Sequence, residues 1–287
     1  MAFSSLAEID SYMKENTCEF WEAVIREEAR DSQQPEMDIV NRMTQMYRAM
    51  KEADEAYDDT LTSHSGLSGK NGKKMADYAV THKCMCGEFG GAVMARAIKM
   101  AESNACMKRI VAAPTAGSCG VVPAILITYE RMTNTSENDM VKALFVAAGI
   151  GDVIARRASI SGARGGCQAE IGVSSAMAAG ALAWLKSGSS HLITQAAAMA
   201  LKSLLGLVCD PVAGLVEVPC VKRNASGAMN ALCAVDMALA GIESAIPADE
   251  VIDAMREIGD LMHKDLQETG KGGLAATATG MAVAERL

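Results

Sequence analysis

Long stretches of small apolar residues constrain the fold of this chain more than any other feature of its sequence. Residues 177–185 and 193–207 consist mainly of Ala, Leu, Met and Gly. Helices that are apolar on nearly every side are buried, and small side chains let them pack at close range. Runs of Val and Ile bounded by turns are scarce, the best being residues 109–113. The sequence therefore predicts a predominantly helical, all-α fold with a large, buried Ala/Gly/Met-rich domain.

The first sixty residues differ from the rest in charge. Residues 1–60 carry 15 Asp and Glu against 6 Lys and Arg, whereas residues 61–287 carry 20 against 21. Apolar residues recur at helical spacing on both sides of Pro35. The segment that follows, LTSHSGLSGKNGKK at 61–74, is rich in Gly and Ser and is typical of a loop. We predict an acidic helical N-terminal arm over residues 1–60 and a second domain over residues 61–287.

Charge and hydropathy exclude several classes of partner. The sequence has no basic stripe and no zinc-finger spacing, so nucleic acid is not an expected partner. Its longest nearly uncharged run, residues 171–185, is shorter than the roughly 20 apolar residues that a membrane span requires. The N-terminus lacks the basic and apolar regions of an export signal. We therefore expect a cytoplasmic protein that binds neither nucleic acid nor membrane.

Four glycine-rich segments interrupt the helical pattern. They are PTAGSCG at 114–120, SISGARGG at 159–166, CDPVAG at 209–214 and TGKGG at 269–273. Each adjoins a helical pattern, so each is either an ordinary turn or a cradle of free backbone N–H groups for a carboxylate or phosphate.

Nine cysteines accompany only four histidines, in a chain long enough to fold without disulfides. Cys18, Cys106 and Cys233 lie in helical apolar patterns and are expected to be buried. Cys84 and Cys86 have a spacing of two that does not suit a metal-ligand pair.

Three further cysteines lie at turns flanked by Gly or Pro, in the contexts GGCQAE, VCDPVAG and VPCVKRN. They are Cys167, Cys209 and Cys220. Their intervals are too wide for a compact ferredoxin motif, so a shared metal would have to be assembled by tertiary folding. An iron–sulfur cluster with three thiolates would leave one iron open for dehydratase chemistry, and zinc is the alternative.

Four motifs closely resemble the alpha chain of the iron–sulfur-dependent L-serine dehydratases. They are RIVAAPTAGSCGVVPAIL at 109–126, SISGARGGCQAEIG at 159–172, LGLVCDPVAGLVEVPCVKRNA at 205–225 and ETGKGGLAAT at 268–277. The resemblance extends from about residue 61 almost to the C-terminus, and it implies that residues 61–287 form a catalytic iron–sulfur dehydratase domain.

The resemblance implies a [4Fe-4S] cluster on Cys167, Cys209 and Cys220. It implies a carbon–nitrogen lyase of amino-acid degradation and gluconeogenesis that converts L-serine to pyruvate and ammonia without pyridoxal phosphate. It also implies a beta chain with an ACT-like regulatory region. Some members of the family end in a cysteine that caps the open iron, whereas this sequence ends MAVAERL.

The substrate site is expected in the first motif, where Thr115, Gly117 and Ser118 would cradle the substrate carboxylate. The general base remains open. The candidates are His64, then His82, and Lys70, Lys222 or Lys271 if burial lowered a lysine pKa; the beta chain could also supply it.

Two alternatives remain from the sequence. The same cluster could act on L-threonine or L-cysteine, because one methyl group discriminates by only about 1–3 kcal/mol. The chain could instead be a non-catalytic helical interaction subunit whose cysteines are merely buried.

Overall fold

The computed structural model describes residues 3–287 and is built from helices. In chain order they are α1 (Leu6–Asn16), α2 (Phe20–Ser32), α3 (Glu36–Glu55), α4 (Asn71–Thr81), α5 (Gly87–Ala105), α6 (Val121–Thr133), α7 (Glu137–Arg157), α8 (Gly162–Gly165), α9 (Ile171–Ser187), α10 (Ser190–Lys202), α11 (Cys220–Leu239), α12 (Ala248–Leu261) and α13 (Ala278–Ala284). Residues 3–287 contain no β-strand, only an isolated parallel bridge between Cys209 and Gln267. The predicted all-α fold is confirmed.

Helix α9 lies at the centre of the core. Its residues 171–183 are all buried, and it packs against α6, α7, α10 and α11. Glycines set the close approach of these helices: a Cβ atom on Gly180 would collide with Ile150 of α7, and one on Gly227 of α11 would lie 2.7 Å from Ile171. The small residues of the apolar stretches therefore fill the positions where helices touch. Between residues 3 and 287, no helix combines the length and apolar character that crossing a membrane needs.

The three N-terminal helices pack on this core with one apolar face each. Phe20 and Ile25 of α2, with Ile39 and Tyr47 of α3, belong to the same hydrophobic cluster as α7 and α9. At the start of α1, the backbone amides of Leu6 and Ala7 donate to the Asp249 carboxylate of α12, at 2.9 and 3.1 Å. The domain boundary at residue 60 stays a prediction.

One buried carboxylate fixes the glycine- and serine-rich loop between α3 and α4. Glu102 of α5 is 1% exposed and accepts hydrogen bonds from the backbone amides of Gly69, Asn71 and Gly72, from the Asn71 side chain and from the Tyr57 hydroxyl, all between 2.8 and 3.0 Å. Burial alone would raise the Glu102 pKa, but these hydrogen bonds lower it. The carboxylate therefore stays ionised and caps the N-terminus of α4.

Candidate functional site

The three predicted metal ligands, Cys167, Cys209 and Cys220, come from three separate segments and are all buried. Cys167 starts a 3-10 turn, Cys167–Ala169, after Gly166, whose φ of +74° favours glycine. The Cys209 backbone is held by residues 266–268, because its N–H donates to the Leu266 carbonyl and its carbonyl accepts from the Glu268 N–H, each at 2.8 Å. Cys220 is the first residue of α11, so it begins a helix rather than lying in a turn.

Two of the three cysteines meet a carboxylate. Ligand atoms of Cys167, Glu170 and Cys209 all lie within 4.8 Å of one another. Across residues 3–287, no second group of three His, Cys, Asp or Glu residues comes as close. Cys220 is outside this group, but burial first, and then the charges of Cys167 and Glu170, raise its pKa to about 12. The three predicted metal ligands therefore share one buried electrostatic environment.

The Cys167 and Cys209 thiols differ in how readily they lose a proton. A hydrogen bond between them lowers the Cys167 pKa, against the effect of burial, and the Arg223 charge lowers it further. The same hydrogen bond and burial raise the Cys209 pKa. Cys167 is therefore the first of the two to become a thiolate, the form that binds a metal.

Glu170 is closely surrounded by the first two glycine-rich motifs. Thr115 Oγ1 donates to Glu170 Oε1 at 2.6 Å. A Cβ atom on Gly117 would lie 2.9 Å from Glu170 Oε1, and one on Gly162 would lie 2.7 Å from Oε2. Burial raises the Glu170 pKa, while the Thr115 hydrogen bond opposes this effect. The glycines are needed here because a side chain would displace the carboxylate.

The three predicted substrate residues differ in how close they come to this site. Thr115 and Gly117 border Glu170, whereas Ser118 is fully buried behind them, with its Oγ 3.1 Å from Thr115 Oγ1. Asn224 of α11 joins their loop to Cys220, because its Nδ2 donates to the Gly117 carbonyl at 2.8 Å and to the Cys220 carbonyl at 3.0 Å. Their role in carboxylate binding stays a prediction.

Arg223 lies on α11, one turn after Cys220, and contacts the segment that carries Cys209. Its guanidinium donates to the Val208 carbonyl at 2.8 Å and to Asp210 Oδ1 at 2.9 Å. The other oxygen of Asp210 accepts from the Leu274 amide at 2.8 Å. The Asp210 carboxylate therefore joins the third motif, which contains Arg223, to the fourth, which contains Leu274.

The candidate bases lie on the surface. His64 is exposed, but its neighbours Ser63 and Ser65 donate to Glu217 Oε2 at 2.5 and 2.8 Å, three residues before Cys220. His82 is exposed and stacks on Tyr78. The three candidate lysines are exposed as well: Lys70, Lys222 and Lys271. His64 is thus carried by the loop that contacts the Cys209–Cys220 segment.

The remaining cysteines have other environments. Cys119 is buried with its Sγ 3.7 Å from the Met100 carbonyl, and burial raises its pKa to about 12. Cys233 is exposed and Cys18 and Cys106 are half-buried, so the prediction that these three are buried is wrong. Cys18 lies between α1 and α2 and Cys106 follows the end of α5, so neither is inside a helix, whereas Cys233 lies on an exposed side of α11.

Sequence reasoning missed three charged residues of the site. Glu170 follows Cys167 by three residues, Glu217 precedes Cys220 by three, and Arg223 follows it by three. A signal was therefore present, because a residue one helical turn from a ligand returns to the same side of the backbone.

Known proteins resemble this chain over nearly its whole length. Residues 15–275 match the family model described as serine dehydratase alpha chain. The chain is 44% identical to the "Probable L-serine dehydratase, alpha chain" of Bacillus subtilis, over 99% of this chain and 95% of the relative. It is 40% identical to the "L-serine dehydratase, alpha chain" of Peptoniphilus asaccharolyticus, over 96% and 95%.

A longer relative matches over a smaller share of its length. The "L-serine dehydratase 2" of Escherichia coli is 44% identical over 62% of this chain and 40% of its own length. The family match covers most of the chain and includes the three converging cysteines. This chain belongs to the serine dehydratase alpha chain family.

Proposed function

We propose that this chain is the catalytic alpha chain of an L-serine dehydratase, a carbon–nitrogen lyase that converts L-serine to pyruvate and ammonia without pyridoxal phosphate. The observation that carries the proposal is the convergence of buried cysteines from distant segments: Cys167 and Cys209 meet the half-buried carboxylate of Glu170, and Cys220 is buried in the same electrostatic environment. The names of the relatives that match over almost their whole length support the substrate.

The donor set suits a [4Fe-4S] cluster held by the three cysteines. Thiolates are the ligands that such clusters use, and the Cys167, Glu170 and Cys209 group contains no histidine of the kind that zinc hydrolases use. When bound with only three thiolates, the cluster supplies an iron that acts as a Lewis acid toward the substrate hydroxyl.

The chain's own residues supply binding and orientation. We assign the substrate carboxylate to the loop of Thr115, Gly117 and Ser118, next to Glu170. The reaction removes the α-proton and releases hydroxide, and the resulting 2-aminoacrylate tautomerises to an imine that water hydrolyses. Among the candidate bases, His64 has the best support, because its loop contacts Glu217 in the segment before Cys220.

A second chain completes the proposal. The family is described as an alpha chain, and the longer E. coli relative extends well beyond the region that this chain matches. We propose a beta chain with an ACT-like regulatory region as the partner. We also propose a cytoplasmic, reducing location, which would preserve an oxygen-sensitive cluster, and a role in serine degradation that feeds gluconeogenesis.

The test is pyruvate formation from L-serine under strictly anaerobic conditions, with this chain alone and with a co-expressed beta chain. We expect activity that is lost in air, that does not require added pyridoxal phosphate, and that is highest on L-serine. L-Threonine and L-cysteine serve as alternative substrates in parallel assays. Failure to form pyruvate in either preparation, with iron and sulfide present, would contradict the proposed reaction.

A further inference from the structure

We infer that Arg223 is a positioning residue that joins the Cys209 and Cys220 segments and sets the electrostatic potential at the cluster. The inference rests on the proposed function, because it concerns how this chain holds a cluster. Nothing in the substrate loop depends on it directly, since Arg223 bonds to the Cys209 segment rather than to Thr115 or Gly117.

The geometry joins Arg223 to two of the ligand segments, those of Cys209 and Cys220. It is on the helix that Cys220 begins, and its guanidinium bonds to Val208 and Asp210, the two residues that flank Cys209. Its charge also acts on the thiol of Cys167. Through Asp210 it is also joined to Leu274 of the fourth motif.

A planar guanidinium is needed for this arrangement. It presents several N–H donors in a fixed fork, whereas a lysine ammonium is a point charge that cannot hold the same set of acceptors in one orientation. The Arg223 side chain is only 16% exposed and that of Asp210 only 4%. Solvent therefore screens neither charge well, and both act strongly on their surroundings.

The charges around the site are mainly negative. Glu170 has a carboxylate oxygen within 4.8 Å of the Cys167 and Cys209 thiols, and the Glu268 backbone is hydrogen-bonded to Cys209, so carboxylates and thiolate ligands would repel one another here. A buried cation beside them offsets part of this repulsion. Removing the cation should therefore disfavour the reduced cluster, whereas removing the negative charge of Asp210 should favour it.

The experiment compares anaerobically reconstituted wild-type chain with Arg223→Gln, Arg223→Lys and a matched control. The control is Arg156→Gln, because Arg156 is half-exposed on α7 and pairs with one carboxylate, Asp152, at 2.8 Å. The readouts are iron and sulfide content, cluster loss to a chelator, and the reduction potential, with circular dichroism to establish that each variant is folded.

We expect Arg223→Gln to lose its cluster about 10- to 100-fold faster and to show a lower reduction potential. Arg223→Lys should also lose the cluster faster but should keep a potential near that of the wild type, because it retains the charge. Arg156→Gln should match the wild type in both measurements.

A fourth variant, Asp210→Asn, separates an electrostatic role from a purely structural one. It should raise the reduction potential, opposite in sign to Arg223→Gln. Equal potentials in the two variants, or wild-type behaviour of Arg223→Gln, would overturn the inference while leaving the proposed function intact. A wild-type chain that binds no iron and sulfide would overturn both.

Discussion

At the scale of single residues, the polar contacts of the site converge on Glu170. Its carboxylate touches Thr115, approaches Cys209 Sγ at 4.0 Å and is enclosed by Gly117 and Gly162. A hydrogen bond to a charged group contributes about 1.5–3 kcal/mol, so the Thr115 hydroxyl is a substantial part of what orients this carboxylate.

Replacing Thr115 by valine tests that contact, because the shape of the side chain is kept and only the hydroxyl is lost. We expect kcat/KM for pyruvate formation to fall about 10- to 100-fold, because losing the hydrogen bond that orients Glu170 costs about 1.5–3 kcal/mol. Thr115→Ser keeps a hydroxyl and should stay within about threefold of the wild type. The measurement is anaerobic steady-state kinetics, and unchanged kinetics of Thr115→Val would contradict the role given to this hydroxyl.

Only some residues of the candidate site could be recognised from the sequence. The three cysteines stand out because they lie beside Gly or Pro, outside the apolar helical patterns in which cysteine usually fills a core, and the family resemblance implies that they share a cluster. Arg223 and Glu217 were not assigned, although each lies three residues from Cys220, since a charged residue in a helical or loop pattern is most often solvent-exposed. Their partners, Val208 and Ser63, come from other segments, and only the tertiary structure brings them together.

At the scale of elements, Glu102 links α5 to the start of α4 and to the serine-rich loop. Five hydrogen bonds converge on this buried carboxylate. Sequence patterns predicted the loop but not its connection to α5, because a glutamate near the end of an apolar helix is usually solvated.

Glu102→Gln should therefore lower the free energy of unfolding by about 2–3 kcal/mol, because the amide brings N–H donors to a place where only acceptors fit. Glu257→Gln, on the exposed side of α12, is the control and should change stability by less than about 0.5 kcal/mol. Urea unfolding measures both variants. Equal stability of the two would show that the Glu102 carboxylate does not hold the loop in place.

A second element-scale contact joins α3 to α7 by charge. Arg48 and Lys51 of α3 bond to Glu137 at the start of α7, at 2.8 and 2.9 Å, and they lower its pKa from 4.5 to about 2. A depressed carboxyl pKa contributes stability above the unfolded pKa, and this stability is lost as the pH falls toward the folded value. Helix α3 is thus held to α7 most firmly near neutral pH.

Glu137→Gln tests this contact. Water and salt screen its partly exposed ion pairs, so the variant should lose only a small part of the wild-type stability at neutral pH and low salt. We expect the difference in unfolding free energy between wild type and variant to shrink as the pH falls from about 5 toward about 2. Urea unfolding across that range measures it, and a difference that is independent of pH would show that the ion pairs are not its source.

At the scale of the whole molecule, the apolar stretches predicted the core and the cysteines indicated the candidate site. Neither indicated how the core helices would bring the cysteine segments together. Helix α9 follows directly after the Cys167 turn, and α11 begins at Cys220, so two of the proposed ligands lie at the ends of core helices. The packing of α9 against α11 therefore brings two ligand segments together. Crossing geometry of this kind depends on glycine contacts such as Gly227 with Ile171, which periodicity does not reveal.

The most direct test of whether the three cysteines form one metal site is the iron and sulfide content of the anaerobically reconstituted chain and its cysteine variants. The wild type should hold about four of each per chain, with a broad visible absorption that bleaches in air. Cys167→Ala, Cys209→Ala and Cys220→Ala should each lose the cluster, while Cys233→Ala, exposed on the same helix as Cys220, should keep it. Retention of the full cluster in all three ligand variants would contradict the central claim that these cysteines form one metal site.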